Sequence, residues 1–476
     1  MLLSQIFTIF WTFLAAFVLF SITVIAHELG HLMIARRKGL IVERFSIGFG
    51  PTLFSRKWRG IEYVIKLLPF GGFVQLPQLA AMDMIEGESV ADVKSLPPAS
   101  PWARMAAAFG GPLYSFLFAI FLSVAVWWIG VPQDQNNLTT TIGYVEPNSP
   151  AARAGVRPGD RITRIDDQAV TRWMGRSGGV FETILLGVEP EVKLEVDRAG
   201  ETLLFRIKPE INQEMEGLRS LGFESYAATR LIVQSTLKDS PAMRAGLQPE
   251  DEILEISGQR VYSALHVKSI IADAEGEVTL TYLRDGARNT RSLLPEKPIN
   301  LDEKLIGIVW NIDDIRIAHL TPWEQITNSL TLVYKTLRAV VSPSSGVGVR
   351  HLSGPVGIFD KLMMLLTTDV RLVLYFTVML NVNLAVLNLL PLPILDGGQI
   401  LYCWIEIARG RVLHPEWVYR IQIFFFLILI SLFIFVTYHD VTRVGRRVKN
   451  SWRQSHETVR EIEFGTRPIH EEGGNR

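Results

Sequence analysis

Cysteine is nearly missing. One residue, Cys403, in a chain of 476 excludes an internal disulfide framework and a cysteine-rich metal site. Beside an apolar segment it reads as filler. Net charge is missing too: 48 Lys and Arg match 48 Asp and Glu, so no global charge argument points to nucleic acid. No basic residue precedes the first apolar run, and that run is too long for a secretory signal core. It therefore reads as a retained span. The chain is also too long for one ordinary domain.

What is present in quantity is apolar sequence, at 48 % of residues. Four long runs stand out, about Ile6 to Ile34, Met105 to Ile129, Leu372 to Leu392 and Ile421 to Tyr438. Each is near the ~20 residues that cross a bilayer as a helix. Orientation follows the basic residues. Arg36, Arg37 and Lys38 follow the first run, and Arg44, Arg56, Lys57, Arg59 and Lys66 lie in the next loop. That loop is expected inside, which leaves the N-terminus, the region from Gly130 to Val370 and the C-terminal tail outside. The tail's Arg443, Arg446, Arg447 and Lys449 pull the other way; the first loop is taken to decide.

The outer region contains a duplication. Ser-Pro-Ala, Arg-Ala-Gly, a Pro, an Asp and two Ile recur in register in the segments starting at Ser149 and Ser240. Each copy reads as a capped short helix, a glycine stop at Gly155 or Gly246, a turn and a strand. These residues resemble the PDZ domains of bacterial protease-associated proteins. The resemblance implies a small sandwich whose groove accepts an extended peptide as an added strand. Service as steric bulk alone stands beside it. Glu250 replaces Gly159 in the second copy, so a turn needing positive φ would strain or rearrange there. Further on, Thr321, Pro322 and Glu324 start an amphipathic helix over 315–341 on or near the outer surface. The segment after it, to Gly357, reads as loop.

The first run ends in His27, Glu28 and His31. On a helix, residues four apart share a face, so two imidazoles one turn apart can grip one metal ion, most often zinc. Glu28 can take a proton from water at the open position and return it to a leaving amine. A structural role for the same pattern is the alternative, but ionisable groups within a membrane are rarely idle. Gly30 lets another helix or a substrate backbone approach. The third run ends with Asn383, Asn388, Pro391 and Pro393, then Asp396. The first and third runs are read as running in the same direction, so His31 and Asp396 end at one side of the bilayer. Asp396 is then either the third ligand or the cap of a helix starting at Gly397.

Taken together these residues resemble the site-2 protease family, in its bacterial branch that cuts membrane-bound anti-sigma factors and carries tandem outer PDZ domains. H-E-x-x-H and N-x-x-P-x-P-x-x-D-G, the latter Asn388 through Gly397, carry the likeness. It implies Zn2+ on His27, His31 and Asp396, with Glu28 as general base. It implies that Asn388 and Asn383 hold the substrate backbone; helix–helix hydrogen bonding is the alternative. It also implies membrane-associated strands in the first loop, through Gly48 to Pro51 and through Gly71, Gly72, Phe73 and Val74. That edge would pair with an unwound substrate, although a merely structural hairpin is the plainer reading. "FGGPLYS" from Phe109 fits close packing in the second span.

The expected fold class is a multi-pass α-helical membrane protein with four transmembrane helices, two inserted PDZ-like α+β domains and a membrane-associated β-hairpin. The expected division is helix 1 over 1–36, a cytoplasmic loop over 37–104, helix 2 over 105–130, PDZ domains over 131–212 and 213–300, and a linker over 301–370. Helix 3 follows over 371–400, then a loop over 401–420, helix 4 over 421–440 and a tail over 441–476. The expected activity is a zinc metalloprotease of the bacterial inner membrane in stress signalling. Its partners would be single-span membrane proteins already trimmed outside, peptide ligands of the PDZ domains, and the lipid bilayer. A PDZ scaffold without activity leaves the ionisable cluster unexplained. A metal transporter would need further acids or histidines along a path, and the second and fourth runs offer none.

Overall fold

The computed structural model describes residues 2–79, 96–175, 178–212, 217–225, 231–311 and 315–456, with residues 462 and 464. Residues 80–95 of the expected first loop and most of the tail beyond 456 lie outside the described residues. The chain divides into two compact units. One comprises Met1–Pro132, Ile317–Tyr334 and Val349–Arg446, and the other Gln133–Arg316, Lys335–Gly348 and Arg447–Arg476.

In the first unit, helix α1 (Leu2–Arg37) leads to strands β1 (Arg44–Trp58) and β2 (Ile61–Gln75), then helix α2 (Pro101–Ile129). Ser100 caps α2 by accepting from the Ala103 N–H at 3.2 Å. β1 and β2 make more than a simple hairpin. Arg44 to Ile47 pair with Glu62 to Ile65 on one side and with Gly72 to Gln75 on the other. Residues 44–47 are thus a central strand, and residues 72–75 an outer edge. Gly48, Gly50 and Gly71 all have positive φ, which permits the doubling back.

The second unit holds both repeats. The first is built from β3 (Ile142–Val145), α3 (Pro150–Ala154), β4 (Arg161–Ile165), β5 (Gln168–Ala169), α4 (Val180–Leu185), β6 (Val192–Arg198), β7 (Glu201–Ile207) and β8 (Phe223–Ser225). The second repeats the order as β9 (Ile232–Thr236), α5 (Pro241–Arg244), β10 (Glu252–Ile256), β11 (Gln259–Arg260), α6 (Ala264–Asp273), β12 (Val278–Arg284), β13 (Ala287–Leu293) and β14 (Ile308–Asn311). Ser149 and Ser240 cap the short helices, each at 3.2 Å. In each copy the last strand returns to pair with the first, β8 with β3 and β14 with β9. The repeat edges therefore fall differently from 131–212 and 213–300. Leu221 and Phe223 belong to the first core, and Ile306, Ile308 and Trp310 to the second. The returning strands are too short to show period-2 patterning. Gly159 has φ +95 and Glu250 φ +72, so the second copy keeps the turn and carries the strain instead of rearranging. Asp160 and Asp251 are buried and bind Arg198 and Arg284, with Nε–Oδ1 distances of 2.7 and 2.6 Å.

The last helices are α7 (Pro322–Val341), α8 (Pro355–Thr368), α9 (Val370–Asn388), α10 (Asp396–Arg409) and α11 (Pro415–His456). α7 starts with reciprocal capping: Glu324 N–H to Thr321 Oγ1 at 3.3 Å and Thr321 N–H to Glu324 Oε2 at 2.9 Å. Three elements depart from the expected division. The 301–370 linker contains α8, whose Leu362 packs with Ala16 and Val373. The third span stops at Asn388, and the expected 401–420 loop is mostly helical, its first part in α10 and its last in α11. The fourth helix runs on to His456, through the fully buried Asp440. Asp440 Oδ2 accepts from the Gly354 and Gly357 N–H groups at 2.9 and 2.7 Å, capping α8 from another helix. The fourth helix thus does carry an inward acid, with a structural job.

Four helices are long and apolar enough to cross a membrane among the described residues: Phe10–Arg37, Pro101–Ile129, Val370–Asn388 and Pro415–Lys449. α1 and α2 meet closely. A Cβ on Gly30 would lie 2.1 Å from the Gly110 carbonyl oxygen, so only glycine fits this crossing.

Candidate metal centre

α1 carries His27, Glu28 and His31 in its last three turns, on either side of the Gly30–Gly110 crossing that locks it against α2. The turn after α9 brings in Asp396, the first residue of α10. His27, His31 and Asp396 converge with their ligand atoms all within 4.8 Å of one another. His27 Nε2 lies 3.2 Å from Asp396 Oδ2, and His31 Nε2 lies 3.3 Å from Asp396 Oδ1. The two Nε2 atoms are 3.3 Å apart. Asp396 is not the helix cap: Leu395 holds that position and makes no side-chain capping bond.

The far ring nitrogens are anchored. His27 Nδ1 faces Ser115 Oγ at 3.0 Å, and His31 Nδ1 faces the Ala107 carbonyl at 2.9 Å. A carbonyl can only accept, so His31 carries its proton on Nδ1 and turns the Nε2 lone pair inward. Both histidines are buried.

Two observations test whether this donor set fits a metal. Asp396 Oδ2 is buried and has no hydrogen-bond partner, despite its nearness to His27. A Cβ added at Gly111 would lie 2.2 Å from His31 Nε2 and 2.7 Å from His27 Nε2, so a missing side chain keeps this space clear. Two buried imidazoles, each anchored through its far nitrogen, and one half-buried carboxylate suit a divalent cation with one position left open.

A cavity of about 300 Å³ opens beside the cluster. Its walls include Glu28, Gly71, Gly72, Phe73, Val74 and Asn388. The Val74 backbone and the Glu28 carboxylate face the same cavity. A Cβ at Gly72 would touch Glu28 Cγ at 3.1 Å, so the β2 edge lies directly against α1. Asn388 Nδ2 is 3.4 Å from His27 Nε2. Asn383 does not line the cavity. It lies about 140° around α9 from Asn388 and leaves its Oδ1 buried without a hydrogen bond. Asn381, two turns before Asn388, shares that residue's face and donates to Thr377 O at 2.8 Å and Thr23 Oγ1 at 3.4 Å. Sequence reasoning passed over Asn381, Ser115 and the cavity-lining Gln399. The seven-residue spacing from Asn381 to Asn388 was the available signal for the first.

Residues 15–432 match the sequence profile described as Peptidase family M50. The Regulator of sigma-E protease RseP of Salmonella typhimurium is 30 % identical over 453 residues, covering 90 % of this chain and 98 % of that protein. The protein of the same name from Escherichia coli is 28 % identical over 459 residues, covering 89 % and 98 %. A Treponema pallidum protein named as a zinc metalloprotease is 28 % identical over 453 residues, covering 89 % and 97 %. Among solved structures, the PDZ domain of an SdrC-like protein from Listeria innocua matches 19 % of this chain and all of its own, at 24 % identity and a TM-score of 0.16. With the His–His–Asp cluster assembled next to a glutamate, the chain belongs to peptidase family M50 and is a metalloendopeptidase.

Proposed function

We propose that the protein is an intramembrane zinc protease that cleaves the spans of single-pass membrane proteins. The convergence of Asp396 with His27 and His31, which lie beside Glu28 on a helix apolar enough to span a bilayer, carries this reading. Zn2+ held by those three residues would supply Lewis-acid polarisation of the scissile carbonyl and a water acidic enough to attack near neutral pH.

The chain's own groups do the rest. Glu28 takes the proton of the attacking water and delivers it to the departing amide nitrogen. Gly72 and Val74 of the β2 edge lie beside that carboxylate. Ser115 and the Ala107 carbonyl fix the two imidazole rings. Gly72 to Val74 form an outer strand edge, and an unwound substrate pairs there as an added strand. A peptide bond inside an intact helix is shielded by its own hydrogen bonds, and the edge replaces those bonds as they break. Asn388 supplies an amide that holds a substrate carbonyl close to the cluster.

The repeats act as PDZ-like domains on the outer side of the bacterial inner membrane. They take extended peptide or exclude bulky outer domains, so a substrate must first be trimmed. Two relatives are named as regulators of sigma-E protease, which favours anti-sigma-factor-like substrates. The test is co-expression with candidate single-span proteins, comparing wild type with Glu28→Gln. Fragments made only by the wild type support the reading; identical fragments from both refute it. Deleting both repeats should let untrimmed substrates be cut, and continued protection of those substrates would refute the size filter.

A further inference from the structure

The two repeats have diverged at one spot, and the chain's own tail meets that spot. In each copy a glycine of positive φ precedes the returning strand, Gly222 at +73° and Gly307 at +77°. The equivalence is close. A Cβ on either would strike the capping serine's Cβ at 2.3 Å, Ser149 or Ser240. The glycine carbonyl accepts from Glu146 N–H in the first copy and from Leu237 N–H in the second, both at 2.8 Å.

What lies next to each glycine differs. Beside Gly222 the third neighbour is Glu146 Oε2, 3.3 Å from the Cβ position. Beside Gly307 it is Phe464 Cε2, at 3.1 Å. Phe464 belongs to the C-terminal tail, yet it is only 6 % exposed. Ile462, two residues earlier, is half-buried. The residue that would oppose an apolar ring has also changed, from the carboxylate of Glu146 to the half-buried Leu237.

Phe464 sits where a strand could be added. β14 begins at Ile308, right after Gly307, and is the outermost strand of its sheet among the described residues. Such an edge carries unpaired N–H and C=O groups. Sidedness allows the contact. Two spans, Val370–Asn388 and Pro415–Lys449, separate the repeats from the tail, so both emerge on the same side of the membrane.

We propose that the C-terminal tail is an intramolecular ligand of the second repeat, with Phe464 anchored beside Gly307 at the open end of β14, so that this groove is self-occupied. This rests on the PDZ-like reading of the repeats and not on the protease chemistry. A tethered ligand competes at a high effective concentration, so an outside peptide must displace it or go to the first copy.

Two measurements on the full-length protein in detergent test it, and neither reads cleavage. The first places a photo-crosslinking benzoylphenylalanine at position 464 and maps the adduct by mass spectrometry. An intramolecular adduct within 306–311 supports the proposal; an adduct only elsewhere, or only to a second molecule, overturns it. The second measures binding of a fluorescent synthetic peptide copying residues 457–476. A chain ending at His456 and a Phe464→Asp chain should both bind it about tenfold or more tighter than wild type. Equal binding by all three overturns it. A peptide bound by the shortened chain but not displaced by unlabelled peptide also overturns it.

Discussion

Gly111 offers the sharpest test of the metal centre, because it touches the cluster without being a ligand. In Gly111→Ala the new Cβ would lie 2.2 Å from His31 Nε2, 2.6 Å from His31 Cε1 and 2.7 Å from His27 Nε2. Ordinary contact begins near 3.4 Å. One imidazole, or the α2 backbone, must therefore retreat by more than about 1 Å, and a misplacement of that size costs catalysis on the order of 10²-fold. Zinc–nitrogen bonds of about 2.0–2.1 Å tolerate no such retreat, so metal occupancy should fall with activity. The overpacking itself costs about 1–3 kcal/mol, which the helices can absorb without unfolding. The assay is zinc content per chain, with cleavage of a single-span substrate, on purified protein whose thermal unfolding is recorded alongside. Phe109→Ala, two residues away and 43 % exposed, serves as the control and should leave both values unchanged. A Gly111→Ala protein that keeps its zinc and cuts at the normal rate would refute the geometry on which the site is built.

Glu28→Gln should lower cleavage by about 10²–10⁴-fold while leaving metal content intact, as measured by turnover and metal analysis; loss of the metal as well would make Glu28 a ligand or a structural residue. Stripping with a chelator should abolish cleavage, and added Zn2+ should restore it, in the same turnover assay. Arg104 pairs with the buried Glu406, so Arg104→Ala should cost about 3–5 kcal/mol in unfolding stability, and Arg104→Met with Glu406→Leu should recover most of it. His266 in the second repeat has its pKa pushed below 6.5 by burial. Its folded form resists protonation more than its unfolded form, so its contribution is full above pH 6.5 and is lost as pH falls below that value. Unfolding of wild type and His266→Gln followed from pH 7.5 to 5 should show a shallower decline in the variant; parallel curves would remove His266 from the account.

The parts of the site that were legible in the sequence are those set by local geometry. His27 and His31 are one turn apart on any helix, and the reading needed nothing else. Asp396 needed one further inference, that the first and third spans run in the same direction, together with the family likeness. The repeats were legible because their capping serines, stop glycines and turn aspartates recur in register. What escaped depends on helix rotation and crossing. Ser115 and Ala107 matter only because Gly30 and Gly110 bring α1 and α2 into contact at one particular phase. Asn381 faces the cluster's side and Asn383 does not, a distinction of two residues that composition cannot show. α8 was hidden because its 14 residues are too short to span and lie between Gly–Pro and Asp–Val breaks. Asp440 was hidden because the fourth apolar run visibly ends at Tyr438, although the helix carries on.

The break between α9 and α10 shows how a linear motif becomes a direction in space. α9 stops at Asn388, and the chain turns through Pro391 and Pro393 before α10 starts at Asp396. A Cβ on Gly397 would meet the Leu390 and Leu389 carbonyl oxygens at 2.3 and 2.4 Å, and one on Gly398 would meet the Leu392 oxygen at 2.1 Å. Neither glycine is in the left-handed region, so backbone freedom is not what selects them. They are selected by closeness, because the turn folds back onto the first residues of α10. With the turn pressed against Gly397 and Gly398, the carboxylate one residue earlier points toward His27 and His31 of α1. The prolines end one helix, the glycines let the turn close on the next, and the aspartate is aimed by both. A single carboxylate at the same depth on an unbroken helix would share the helix's rotation with every neighbour. Here its orientation is decoupled from the lipid-facing requirements of α9, which is why the third span can stay apolar while its end supplies a ligand.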